Sequence, residues 1–318
     1  MTSRATITPP APVTDLAIDV RGLRKSYSDV EAVCGIDLQV RTGEVFALLG
    51  PNGAGKTTTV EILEGHRDRT AGEVSILGHD PGRRERAFKQ RIGIVLQSAG
   101  VEPYLTVEEA IDLYRGYYPT PRPLDELVQV VGLEEKRTSL VRKLSGGQQR
   151  RLDVAIGLAG DPDLLFLDEP TTGFDPSARR NAWNMIKNLQ SLGKTVFLTT
   201  HYLDEAQYLA DRVAIIVAGR IVAQGAPADL VRDDATTAIT FRMPAGDREL
   251  PEAIRADAKV DDGQVTIETP QPTQALYHLT AWAKEQAIEL EGLTVTRTSL
   301  EDVYLKLTKE AEAKAGET

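Results

Sequence analysis

Eight consecutive residues, Gly50-Pro51-Asn52-Gly53-Ala54-Gly55-Lys56-Thr57, have the types and spacing to hold a polyphosphate. The glycines permit positive φ, so successive backbone N–H groups can turn inward toward phosphate oxygens. Lys56 can reach the β- and γ-phosphates, and the Thr57 hydroxyl can ligate Mg2+. A second run, Leu164-Leu165-Phe166-Leu167-Asp168-Glu169-Pro170, is apolar and ends in two acids. Asp168 can hold Mg2+ directly or through water, and Glu169 can orient and polarise an attacking water as general base. A third run, Leu144-Ser145-Gly146-Gly147-Gln148-Gln149, offers a helix cap and a glycine pair that lets an anion approach the backbone. It is surplus to a site already closed by the first loop. The simplest site it could serve is that of a second copy of the chain.

These residues need elements to carry them. Val45–Leu49 reads as a strand entering the phosphate loop, and Thr58-Thr59-Val60-Glu61-Ile62-Leu63 as a helix leaving it. The helix N-terminus adds partial positive charge at the anion. The runs Val45–Leu49, Ile92–Leu96, Leu164–Leu167 and Val196–Leu198 are continuously apolar. Such strands are buried on both faces, as in a parallel sheet covered by helices. Val213–Val217 and Ile221–Ala223 flank Ala218-Gly219-Arg220, which reads as an edge hairpin. The expected fold is therefore α/β.

The order of these motifs resembles the nucleotide-binding subunit of the ATP-binding cassette (ABC) family, over roughly residues 16–230. The resemblance implies an ATPase with ATP and Mg2+ as cofactors. It implies a P-loop NTPase fold with a mainly parallel core sheet, an antiparallel edge sheet and a helical subdomain. Tyr27 looks like the aromatic that stacks on adenine. The segment Gly50, Pro51, Asn52, Gly53, Ala54, Gly55, Lys56, Thr57 and Thr58 would hold the phosphates. Gln97 looks like the glutamine that contacts Mg2+ and the attacking water. Ser145, Gly146, Gly147 and Gln148 match the signature that binds the γ-phosphate from the opposite subunit. Gly173-Phe174-Asp175 looks like the loop crossing the dimer interface, with Phe174 where the family often has Leu. His201 looks like the switch histidine on the γ-phosphate. Catalysis would rest on Glu169, His201, Gln97 and Lys56, and the metal on Thr57, Gln97 and Asp168.

Beyond Gly225-Ala226-Pro227 the texture changes. Ala238–Met243, Gln264–Glu268 and Leu293–Thr298 read as half-exposed strands, residues 273–287 as a helix, and Ser299 as the cap of a last helix. The expected organisation is a disordered tail over 1–14, a nucleotide-binding domain over 15–230, a small α+β domain over 236–308 and a polar tail over 309–318. Thr199-Thr200-His201-Tyr202-Leu203-Asp204-Glu205-Ala206 and the closing Ser299–Leu305 resemble the multidrug and antibiotic exporter branch (ABC-2 type, daunorubicin-resistance-like). There the membrane-spanning permease is a separate chain, and the cargo is a drug, antibiotic or lipid-like molecule.

Composition narrows the choice. Lys+Arg number 37 against 47 Asp+Glu, a net charge of −10, which argues against wrapping nucleic acid. No run approaches the ~18–20 apolar residues that span a bilayer. The single cysteine, Cys34, cannot form an intrachain disulfide, which fits a reducing compartment. The chain is expected in the cytoplasm, peripheral on the inner membrane face through its permease, with a second copy of itself as the other partner. A soluble cassette ATPase acting on ribosomes or DNA is the alternative. Relatives of that kind carry two cassettes or long coiled coils, and this chain has one cassette and no sustained heptads. An importer shares the motifs and differs only in the C-terminal resemblance.

Overall fold

The computed structural model describes residues 16–28, 30–96, 100–232, 237–243, 249–297 and 299–316. The chain divides into two compact units at Gly225/Ala226. That division falls five residues earlier than the expected end of the first domain at 230. The stretch expected as a tail over 1–14 lies outside the described residues.

The first unit runs β1 (Leu16–Tyr27), β2 (Val30–Arg41), β3 (Val45–Leu49), α1 (Lys56–Leu63), β4 (Ala71–Ile76), α2 (Arg86–Arg91) and β5 (Ile92–Val95). It continues through α3 (Val107–Arg115), α4 (Leu124–Val130), α5 (Gly146–Gly157), β6 (Leu164–Asp168) and α6 (Pro176–Ser191). It ends with β7 (Thr195–Thr200), α7 (Leu203–Leu209), β8 (Arg212–Val217) and β9 (Arg220–Gly225). Two sheets result. An antiparallel one has the order β2-β1-β4, and a six-stranded one has the order β5-β6-β7-β3-β8-β9.

In the larger sheet β5, β6, β7, β3 and β8 are mutually parallel, and β9 returns antiparallel on β8. The continuously apolar runs predict this arrangement. Every residue of β3 and of β7 is buried, which only a sheet covered on both faces achieves. Phe46, Phe166 and Phe197 sit at one register level on three adjacent strands, with ring centroids 5.6 and 5.7 Å apart. That aromatic row, at close to stacking distance, pins β3 and β6 to β7. The β8–β9 hairpin turns at Ala218 and Gly219, both with positive φ, as a tight two-residue hairpin requires.

Helix starts are chemically marked. Thr106 with Glu109, and Ser145 with Gln148, form reciprocal capping boxes at α3 and α5, and Asp175 caps α6 through Ser177 and Ala178 N–H. At the start of α1, Gly55 offers no side-chain cap.

The second unit, Ala226–Glu310, contains α8 (Pro227–Arg232), β10 (Thr237–Arg242), α9 (Glu252–Arg255), β11 (Ala258–Asp261), β12 (Gln264–Thr269), α10 (Pro272–Glu285), β13 (Thr294–Arg297) and α11 (Leu300–Gly316) as far as Glu310. Its antiparallel sheet has the order β11-β12-β10-β13. Ile239, Phe241, Val265 and Ile267 form one face, packed with Leu279 and Trp282 of α10. Asp262 and Gly263 both take positive φ in the β11–β12 turn. Ser299 and Asp302 exchange hydrogen bonds at the start of α11, as the sequence predicts. That helix continues to Gly316. Among the described residues no helix is long and apolar enough to cross a membrane.

Candidate nucleotide-binding and hydrolysis site

The phosphate loop leaves the C-terminal end of β3 and runs into α1. Gly53 and Gly55 adopt positive φ. A Cβ on Gly50 would come within 2.3 Å of the Ile216 carbonyl, so the loop lies flush against β8. Gly219 of the edge hairpin reinforces it, donating its N–H to the Ala54 carbonyl at 3.0 Å while its carbonyl accepts from Cys34 N–H at 2.8 Å. The Lys56 ammonium folds back on the loop, donating to the carbonyls of Gly50 (2.7 Å) and Pro51 (3.1 Å). Burial lowers its pKa, with Glu169 and then Asp168 acting to raise it. Thr59 donates its hydroxyl to the Gly55 carbonyl. The loop fits a phosphate chain. The first-turn N–H groups of α1 have no capping side chain, and Lys56 is held by neutral carbonyls that an anion can displace.

Two strands away in the sheet order, β6 delivers Asp168 and Glu169. Between them, β7 delivers Thr199 and leads into His201. The Thr199 hydroxyl donates to Asp168 Oδ1 at 2.6 Å and accepts from Glu169 N–H at 3.1 Å. The Thr199 carbonyl also accepts from Glu169 N–H. Glu169 takes φ +44, a left-handed conformation uncommon for a side-chain-bearing residue and frequent at functional sites. Its Oε2 accepts from the Thr172 hydroxyl at 3.0 Å, and its Oε1 lies 3.3 Å from His201 Nδ1. Lys56, Asp168, Glu169 and His201 are thus gathered at one edge of the sheet.

The remaining expected residues fall elsewhere on the unit. Tyr27 closes β1, half exposed, with Lys25 Nζ 5.0 Å and the Arg67 guanidinium 5.3 Å from its ring centroid. Ser145 and Gln148 are engaged with each other: Ser145 N–H donates to Gln148 Oε1 at 3.0 Å, and Gln148 N–H donates to Ser145 Oγ at 3.3 Å. Ser145, Gly146, Gly147 and the segment Thr172–Asp175 border an open cleft of about 510 Å³ between α5 and α6. Gln97 lies outside the described residues.

Sequence reading missed two groups. The first is Arg150, on α5, only 6 % exposed. Its guanidinium donates to three carbonyls: Leu96 at the end of β5, Asp168 (2.9 Å) and Pro170 (3.3 Å). It ties the helix behind the Ser145 cap to the strand tips that carry the acids. The second is Glu64, 4 % exposed just past α1. Burial pushes its carboxyl up to about 8, with the charges of Asp168 and Glu61 adding to the shift. The available signal is the second of two acids in the run Val60-Glu61-Ile62-Leu63-Glu64, which follows directly on two apolar residues.

Replacing Arg150 by Met keeps the stem and orphans three carbonyls. The expected loss is at least about 2 kcal/mol in urea unfolding, and a loss below about 0.5 kcal/mol would show the contacts to be incidental. For Glu64 the folded state holds its proton above the ordinary value of 4.5. Its contribution is complete below that value and fades as pH rises toward 8. Glu64→Gln should match the wild type near pH 5 and become the more stable by up to about 1.4 kcal/mol per pH unit above it. Parallel stability–pH curves for the two proteins would contradict this.

Comparison with known proteins agrees with this geometry. The ABC transporter family model matches residues 33–172, and the model of the ABC transporter domain-containing protein-like C-terminal domain matches residues 237–299. The Nod factor export ATP-binding protein I of Ralstonia nicotianae is 38 % identical over 304 residues, covering 92 % of this chain and 93 % of that one. The daunorubicin resistance ATP-binding protein DrrA3 of Streptomyces coeruleorubidus is 36 % identical over 310 residues, covering 93 % and 97 %. Among solved structures, the ATP-binding cassette MJ0796, in a dimeric post-hydrolysis state with ADP and Pi, superposes with TM-score 0.59 at 25 % identity over 66 % of this chain and 98 % of that one. With phosphate loop, paired acids and histidine at one sheet edge, and full-length relatives of this kind, the chain belongs to the ABC transporter family as an ATP-binding, ATP-hydrolysing subunit.

Proposed function

We propose that this chain powers an exporter by closing and opening a dimer of itself around two ATP molecules, through a separate permease that carries a drug, antibiotic or lipid-like substrate. The observation that carries the reading is the Lys56–Asp168–Glu169–His201 cluster, combined with Ser145–Gln148 on a separate helix start of the same unit. One copy holds the phosphates, and the other copy's capped helix supplies the second anion site. The relatives, a Nod factor export protein and a daunorubicin resistance protein by name, support the direction of transport.

In this reading Tyr27 stacks on adenine, its ring flanked by Lys25 and Arg67. The backbone from Gly50 to Thr58 cradles the phosphates, and Lys56 leaves its carbonyls for the β- and γ-phosphates. Thr57 and Asp168, with Gln97, are the residues that would hold Mg2+, whose charge offsets that of the phosphates. Glu169, aimed by Thr172 and His201, accepts the proton of the attacking water. His201 donates to the γ-phosphate, and Ser145 to Gln148 bind it from the second copy. Hydrolysis removes the group that bridges the copies. Closure therefore lasts only while ATP binds the closed state better than its products do. The described residues contain no membrane-crossing helix, so contact with the bilayer runs through the permease.

A tagged Glu169→Gln variant, purified from detergent-solubilised membranes with ATP and Mg2+, should bring down a stoichiometric polytopic membrane protein identified by mass spectrometry. The same preparation with Lys56→Ala should bind ATP more weakly. Ribosomal proteins or nucleic acid, with nothing membrane-embedded, would overturn the transport reading in favour of a soluble ATPase.

A further inference from the structure

Glu205 lies in the first turn of α7, fully buried, and takes no part in the chemistry above. Its Oε1 accepts hydrogen bonds from the Thr171 hydroxyl at 2.8 Å and from the Trp183 indole N–H at 3.0 Å. Its Oε2 is buried without a hydrogen-bond partner among the described residues. Burial pushes the carboxyl up, while the Thr200 and Thr171 hydroxyls and the Trp183 indole favour its charge. A carboxyl in this position is expensive to desolvate, and an apolar side chain would cover α6 without that penalty.

What the carboxyl does by hydrogen bonding is join the Thr171 loop to α6. Thr171 stands two residues after Glu169. Thr200 stands one residue before His201, and its hydroxyl accepts from Tyr202 N–H at 2.9 Å. Trp183 is on α6, the helix that follows Gly173-Phe174-Asp175. A second link from α6 runs in parallel. The Arg179 guanidinium lies 4.2 Å from the Tyr202 ring centroid and 3.4 Å from Asp204 Oδ2, and the Tyr202 ring lies 4.1 Å from that of His201. The 3.3 Å approach of Glu169 to His201 thus lies between two loops that both lean on α6, and Glu205 hydrogen-bonds both the Glu169 loop, at Thr171, and the middle of α6, at Trp183.

We propose that Glu205 is a positioning residue for ATP hydrolysis, clamping the Glu169 loop to α6 so that Glu169 and His201 stay in register. The inference rests on the roles proposed above for Glu169 and His201. Its signature is a loss of turnover without a loss of ATP binding, because none of the groups it holds lies on the phosphate loop.

The test compares steady-state ATPase kinetics of the full chain and its variants. Glu205→Leu should lower kcat roughly tenfold or more and leave KM for ATP within about twofold. Glu205→Gln, which keeps an acceptor for Thr171 and Trp183, should restore kcat to within about twofold of wild type. If Glu205→Leu fails to fold, Thr171→Val and Trp183→Phe each remove a single donor and should each lower kcat at unchanged KM. Wild-type kcat in the folded Leu or Val variant, or a KM that rises as kcat falls, would overturn the proposal. Glu169→Gln is assayed alongside. Full turnover there would sink the underlying reading, whereas a dead Glu169→Gln beside an active Glu205→Leu would sink the clamp alone.

Discussion

The site depends on the position of β7. This strand lies between β3 and β6 and pairs in parallel with both, so the Gly50–Thr57 loop, the acids and His201 leave the sheet on the same edge. One hydroxyl on it completes the arrangement. Thr199 donates to Asp168 and accepts from Glu169 N–H, which fixes the first acid and turns the second. The Phe46–Phe197–Phe166 row holds the three strands at that register from below. A slip of one residue in β7 would carry Thr199 to the opposite face and release both acids.

Around that edge the polar groups are arranged in two ways. Some hold geometry in place: Arg150 on three carbonyls, and Glu205 through one oxygen on Thr171 and Trp183. Others have partners that an anion can displace. Lys56 rests on neutral carbonyls, and α1 begins at a glycine with no capping side chain. Ser145 and Gln148 lie between these cases. Their capping box is complete, yet the cleft beside them is open. A helix start that is already organised loses little conformational freedom when it meets a phosphate.

Much of this was legible in the sequence, and the reasons are local. The Gly50–Thr57 loop, the acids after an apolar strand and the Ser145 cap each read from a few adjacent residues. The continuous apolar runs gave the parallel strands, and Ala218-Gly219 gave the edge hairpin. What stayed hidden depends on partners far along the chain. Arg150 meets carbonyls 18 to 54 residues away, and Glu205 meets groups 22 and 34 residues away. Neither side chain carries a pattern of its own. β11 is hidden for a different reason: Ala258–Asp261 is only four residues long and mostly exposed, too short for its alternation to stand out.

If ATP is held between two copies of this chain, the assembly state must follow the bound nucleotide, which sedimentation reads out. Purified Glu169→Gln protein would be sedimented with ATP and Mg2+, then with ADP, and bound nucleotide counted in each fraction. The account predicts a dimer with two ATP per dimer, a monomer in ADP, and loss of the dimer when Ser145→Arg is added to the same chain. A monomer that binds ATP stoichiometrically and never dimerises, or a dimer indifferent to nucleotide and to Ser145→Arg, would contradict it.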